Sequence, residues 1–145
     1  MFFSSTIIHK KSSRFRIIKT FWTFFSSAIV LVPLTSLEAN KRSSQIFVSA
    51  SMPDSSIRQY YEEIKSDPES RLVMRGLIEG SMMKTKDYIE RLRVIVDIDP
   101  PAFDEFGIKV VPTILVQEGE DQYYKHTGHV PVSYVLEKVQ ERQEK

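Results

Sequence analysis

The sequence contains no cysteine, and that one absence excludes disulfide bonds, thiolate nucleophiles and thiolate metal sites. A marked excess of one charge is missing too, since the net charge is +1 at pH 7. No apolar run is long enough to cross a membrane as a helix. The longest, Phe21 to Leu34, has 14 residues where a spanning helix needs about 20, and Pro33 interrupts it near its end. Neither a phosphate-binding loop nor a nucleophile elbow is present. Internal repeats and low-complexity segments are also missing.

What is present is uneven in charge. Of the 20 basic and 19 acidic residues, five and one fall in residues 1–39, which leaves 15 and 18, or −3, for the rest. A basic segment (Lys10, Lys11, Arg14, Arg16, Lys19), the apolar run and then Thr35-Ser36-Leu37-Glu38-Ala39 stand in the order of a secretory signal peptide. The expected cleavage point is after Ala39; the alternative is an uncleaved anchor, the chain's only expected link to a membrane. Either way residues 40–145 face the exported side, which in a Gram-negative cell is the periplasm. The mildly acidic body has no basic stripe, so nucleic-acid binding is not expected.

A chain of 145 residues suits one domain plus an extension. Residues 40–45 read as a short linker and 46–142 as the domain. Ile46 to Ala50 has the β-branched and aromatic bias of a buried strand. Ile57, Tyr60, Tyr61 and Ile64 repeat at helical spacing over about 54–66, stopped by Asp67-Pro68. A second buried strand is predicted over Arg71–Ile78, with Gly76 marking a close backbone or ligand approach. A helix over Lys84–Arg93, a short extended segment over Val94–Ile98 and a short helix from Asp99-Pro100-Pro101 to Gly107 follow. A hairpin joins Ile114-Leu115-Val116 to Gln122–His126, and an amphipathic helix spans about 131–142. Early parallel crossovers and a terminal hairpin plus helix give an α/β sandwich with a mixed sheet.

Phe106-Gly107-Ile108, the apolar strand opened by Val111-Pro112-Thr113, Gly128 and the last helix resemble the distal half of a thioredoxin domain. The resemblance implies a thioredoxin-like three-layer sandwich, with a cis peptide before Pro112 and the main chain of Val111 free to pair with an extended ligand; a plain strand start with trans proline is the alternative. The position of the redox Cys-x-x-Cys pair corresponds to Ser51-Met52-Pro53-Asp54-Ser55. A thioether and an unassisted hydroxyl carry out no thiol exchange. Phe47-Val48-Ser49-Ala50-Ser51-Met52-Pro53, Val73-Met74-Arg75-Gly76-Leu77, Ile98-Asp99-Pro100 with Phe103, and Val111-Pro112-Thr113 together resemble, over about 46–139, the TrbC-type pilus assembly family of F-type conjugative (type IV secretion) systems. That resemblance implies a non-catalytic periplasmic factor acting with other pilus assembly proteins, notably one of the TraW type. The runner-up is a periplasmic chaperone-like or peptide-binding thioredoxin homologue.

Ligands of open α/β sheets bind at the carboxyl ends of the strands. Ser49, Ser51, Met52 and Pro53 with Val111, Pro112 and Thr113 are therefore the expected groove for an extended partner segment. The competing reading has Ser51 and Asp54 capping the helix and Met52 filling core. Arg75, a lone charge in an apolar stretch, is expected to carry a structural charge and to snorkel outward or meet a carboxylate such as Asp97 or Asp99. His126 and His129 lack a third ligand, so they read as a solvated turn rather than a metal site. Glu118, Glu120 and Asp121 read as a soluble hairpin tip. No cofactor and no catalytic residue is expected.

Overall fold

The computed structural model describes residues 5–9, 42–119 and 121–144. Its order is β1 (Ser5–His9), β2 (Ser44–Val48), α1 (Asp54–Ile64), β3 (Arg71–Met74), α2 (Met82–Leu92), β4 (Val96–Ile98), α3 (Pro100–Glu105), β5 (Thr113–Gln117), β6 (Gln122–Thr127) and α4 (Val132–Gln143). The strands form one mixed sheet in the order β1-β6-β5-β2-β3-β4. β2 pairs parallel with β3, and β3 with β4. β2 pairs antiparallel with β5, β5 with β6, and β6 with β1.

The alternation of the pleat divides the core in two. Ile46, Val48, Leu72, Met74, Ile114, Val116 and Tyr124 face α1, α2 and α4 and pack with Ile57, Tyr60, Leu92, Val135 and Val139. Phe47, Val73, Leu115 and Tyr123 face α3 and pack with Phe103, Phe106 and Ile108. The result is the expected α/β thioredoxin-like three-layer sandwich, a mixed sheet between helices.

Local sequence sets the helix ends. Ser81 accepts at its side chain from the Lys84 N–H at the start of α2, and Asp99 does the same from Ala102 at the start of α3, with Pro100 at the first helical position. Phe106-Gly107-Ile108 is the stop of α3. Gly107 has φ +57°, its N–H donates to Asp104 O at 3.2 Å, and the Ile108 N–H reaches back to Phe103 O at 2.7 Å. This is the reciprocal pattern of a Schellman cap, and Ile108 meets Phe103 in the same buried cluster.

Three boundaries differ from expectation. β3 ends at Met74 because its partner β4 has three residues and the Asp99 N–H closes on Met74 O at 3.0 Å; Gly76 to Ile78 lie beyond the sheet. Ser44 and Gln45, placed in a linker by sequence, already pair with Val116 and Leu115. Ser5–His9, inside the expected leader, pairs with β6; the rest of that leader and its cleavage point lie outside the described residues.

Gly107→Ala is expected to lower unfolding stability by about 1–2 kcal/mol, the cost of a left-handed residue bearing a Cβ. At Gly76 a Cβ meets nothing within 4 Å and φ is not positive, so Gly76→Ala should stay within about 0.5 kcal/mol. Urea unfolding of the two variants makes the comparison.

Candidate functional site

The carboxyl ends of β2 and β3 and the segment entering β5 enclose a cleft of about 300 Å³. Its floor comes from strand ends and the α3 side: Val48, Met74, Phe103 and Ile108. Ser49 and Ala50 form one wall, Arg75, Gly76 and Leu77 a second, and Lys109 with Val111 a third. The lining holds two cationic side chains and no carboxylate.

Of the residues expected to form a groove, Ser49 and Val111 line this cleft, as does Arg75. Ser49 Oγ lies 3.0 Å from Ser51 Oγ, and Ser49 O accepts from the Met52 N–H at 3.0 Å, so the loop after β2 curls back on itself. Ser51 and Pro53 are exposed outside the cleft, and Met52 is half-buried against the α1-side core. Thr113 is fully buried; its hydroxyl donates to Val110 O at 2.6 Å and lies 3.2 Å from Thr127 Oγ1. The Val111–Pro112 peptide is cis, as the thioredoxin resemblance implies, and Pro112 O accepts from the Gly128 N–H at 3.0 Å. Thus Pro112 and Thr113 hold the loop, and Val111 is the member that faces the cleft. Leu77, Ile108 and Lys109 were not anticipated; Ile108 could have been found as the apolar residue that follows a glycine helix stop.

Neither Ser51 nor Asp54 caps α1. Pro53 occupies the cap position with no side-chain cap bond, while Asp54 accepts from Tyr88 Oη at 3.2 Å and from Arg91 at 2.7 Å. Arg75 pairs with Asp104 at 2.9 Å and sits 5.8 Å from the Phe103 ring. Asp97 and Asp99, its expected partners, are taken by Arg71 at 3.3 and 3.2 Å. Register explains the exchange: Arg71 lies within the strand beside β4, whereas Arg75 has passed the sheet and stands over α3.

His129 is exposed in the bend after β6, as expected, but His126 is not part of a solvated turn. His126 is 5% exposed and stacks edge-on to Tyr134 with centroids 6.1 Å apart. His129 Nδ1 lies 3.0 Å from Tyr60 Oη, whose pKa burial pushes up to about 12, so the phenol stays protonated. Among the described residues no three His, Asp or Glu side chains are grouped to hold a metal ion.

An α/β sandwich with a cis-proline loop across the cleft from the segment that follows β2, and no thiol anywhere, defines a thioredoxin-like domain incapable of thiol-disulfide exchange. Residues 46–139 match the family model of the type-F conjugative transfer system pilin assembly protein. The chain belongs to this TrbC family, and its role lies in assembly of the F-type conjugative pilus. No curated protein matches it. Among solved structures it is similar to DsbF of MTB, at 15% identity over 69% of this chain and 79% of that one, TM-score 0.49. It is also similar to a secreted Mycobacterium tuberculosis disulfide oxidoreductase homologous to E. coli DsbE, at 8% identity over 63% and 72%, TM-score 0.45.

Two outcomes are expected. Arg75→Leu and Asp104→Asn should each change stability by less than about 1 kcal/mol, because their ion pair is solvent-exposed. Burial lowers the His126 pKa below its ordinary value, so below pH about 6.5 the unfolded chain binds a proton that the folded chain resists. The stability tied to a neutral His126 is complete above that pH and is lost as pH falls through the lowered value. The stability of the native chain relative to His126→Phe should therefore decline between pH 7.5 and 5, as read by urea titrations.

Proposed function

We propose that the protein is a non-catalytic periplasmic factor whose cleft binds an extended segment of another pilus assembly protein, one of the TraW type. A leader in residues 1–39 delivers it there. The observation that carries this reading is the cleft itself. It lies at the strand ends where thioredoxin-like domains meet their ligands, it is walled by Val111 and Leu77, and its lining holds Lys109 and no carboxylate, with Arg75 paired to Asp104 at its rim. Such a surface suits a segment that presents an apolar side chain together with an acidic group. With no cysteine, contact there leads to holding and not to exchange.

The test is affinity for the TraW-type protein of the same transfer system. Val111→Arg and Leu77→Arg should each weaken binding about tenfold or more, with thermal midpoints near that of the native chain. Pro53→Ala and Ser55→Ala, at exposed positions outside the cleft, should bind as the native protein does. Equal affinity in all four variants would remove the cleft from the account, and capture of many unfolded envelope proteins in place of assembly proteins would favour a chaperone-like role.

A further inference from the structure

One edge of the sheet ends on β4, which pairs only with β3. In a parallel ladder alternate residues of a strand bond to a given neighbour. The Asp99 N–H donates to Met74 O, so Asp97 and Asp99 carry the bonds to β3, and Val96 and Ile98 turn N–H and C=O outward. No strand lies beyond them among the described residues. Natural edges are often blunted by a lysine or a proline, and Val96-Asp97-Ile98 contains neither. It offers apolar side chains instead: Ile95, just before the strand, is 70% exposed and Ile98 is 37% exposed.

Two further features say what the edge would accept. Asp97 and Asp99 share one guanidinium, that of Arg71, at 3.3 and 3.2 Å, farther than the about 2.7–2.9 Å of a close charge-assisted bond. The same guanidinium also donates to Gln45 at 3.2 Å, so the edge keeps a surplus of negative charge. At the amino-terminal ends of β3 and β4 a cavity of about 270 Å³ opens, lined by Tyr61, Ile64, Leu72 and Ile95, with Arg71 and Asp97 among its walls.

The geometry points to the β4 edge as a strand-addition site for a basic, apolar segment of a partner protein. The segment runs antiparallel to β4, the slightly stronger pairing, and exchanges main-chain bonds with Val96 and Ile98. Its residue opposite Asp97 falls at a non-hydrogen-bonded pair, where side chains approach most closely, and is a lysine or arginine. Apolar residues stand opposite Ile98 and Val96, and a further one opposite Ile95 reaches the cavity. The shortness of β4 limits the main-chain bonds to four, so the cation and the apolar anchor supply the selectivity. This surface shares no lining residue with the cleft, so the two can fail independently.

The probe is a synthetic segment of that chemistry, acetyl-Thr-Val-Lys-Val-Ile-Thr-amide, titrated into the full chain and followed by amide chemical shifts and hydrogen exchange. Binding should be saturable and centred on Ile95 to Ile98 and the cavity. At saturation the Val96 and Ile98 amides should exchange about tenfold more slowly, while Asp97, already bonded to β3, is unchanged. Replacing the lysine of the peptide with glutamate should weaken binding about fivefold, and Asp97→Asn should weaken binding of the parent peptide about twofold. N-methylation of both peptide valines should abolish binding, and N-methylation of its lysine should spare it. No saturable binding at millimolar peptide, equal binding of the glutamate or the doubly methylated peptide, or shifts confined to the cleft each overturn the proposal. So does slowed exchange at Val96 and Ile98 in the chain alone as its concentration rises, which assigns the edge to a second copy.

Discussion

The fold depends on β2 being buried on both faces and paired on both edges. Ile46, Phe47 and Val48 are each at most 1% exposed, and every neighbour in the sandwich takes its place from one of them. Ile46 and Val48 fix the α1–α4 layer, and Phe47 fixes α3 through edge-on contacts with Phe103 at 4.8 Å and Phe106 at 6.2 Å. Burying side chains of this size contributes about 1.5–3 kcal/mol each, so three consecutive residues supply a large part of a margin that is small for any domain. A domain without cysteine leans on such a strand, because no covalent tie limits its unfolded chain.

The same strand positions the cleft. Val48 is its floor, and Ser49 begins its first wall one residue after pairing stops. The second wall exists because β4 is short: with pairing finished at Met74, Arg75 to Leu77 are released to curve over the sheet end. The third wall is the continuation of the α3 stop, where Gly107 reverses the chain and delivers Ile108 into the core and Lys109 to the rim. Three local terminations, each with its own cause, thus converge on one opening.

Residues whose fate is settled by their near neighbours were legible in the sequence. The strand bias of Ile46 to Val48, the helical spacing of Ile57, Tyr60 and Ile64, and the proline and glycine around α3 all act over a few residues, and element order and layer order followed from them; the cis bond at Val111–Pro112 was implied only by the thioredoxin resemblance, with a trans strand start as the alternative. Pairings set by register were not legible. Arg75 and Arg71 are four residues apart, and only the three-residue length of β4 decides which of them meets Asp97 and Asp99. His126 reads as polar in sequence, yet the alternation of β6 turns it to the same side as Tyr124 and against Tyr134 of α4. The strand Ser5–His9 was not anticipated because it lies in a stretch read as a leader.

The absence of thiols also bears on why the expected groove residues divide as they do. In a redox domain the residues that open the first helix must be exposed and must activate a nucleophile. Here Met52 turns inward against the core and Pro53 takes the cap position, where its missing N–H costs no hydrogen bond. Once no reaction occurs at the helix start, nothing requires that spot to stay open, and packing can close it. The loop on the other side keeps its conformation for a different reason: Thr113 and Pro112 anchor it to Thr127 and Gly128 of the hairpin. Val111 is thereby held at the cleft by bonds that do not depend on a thiol.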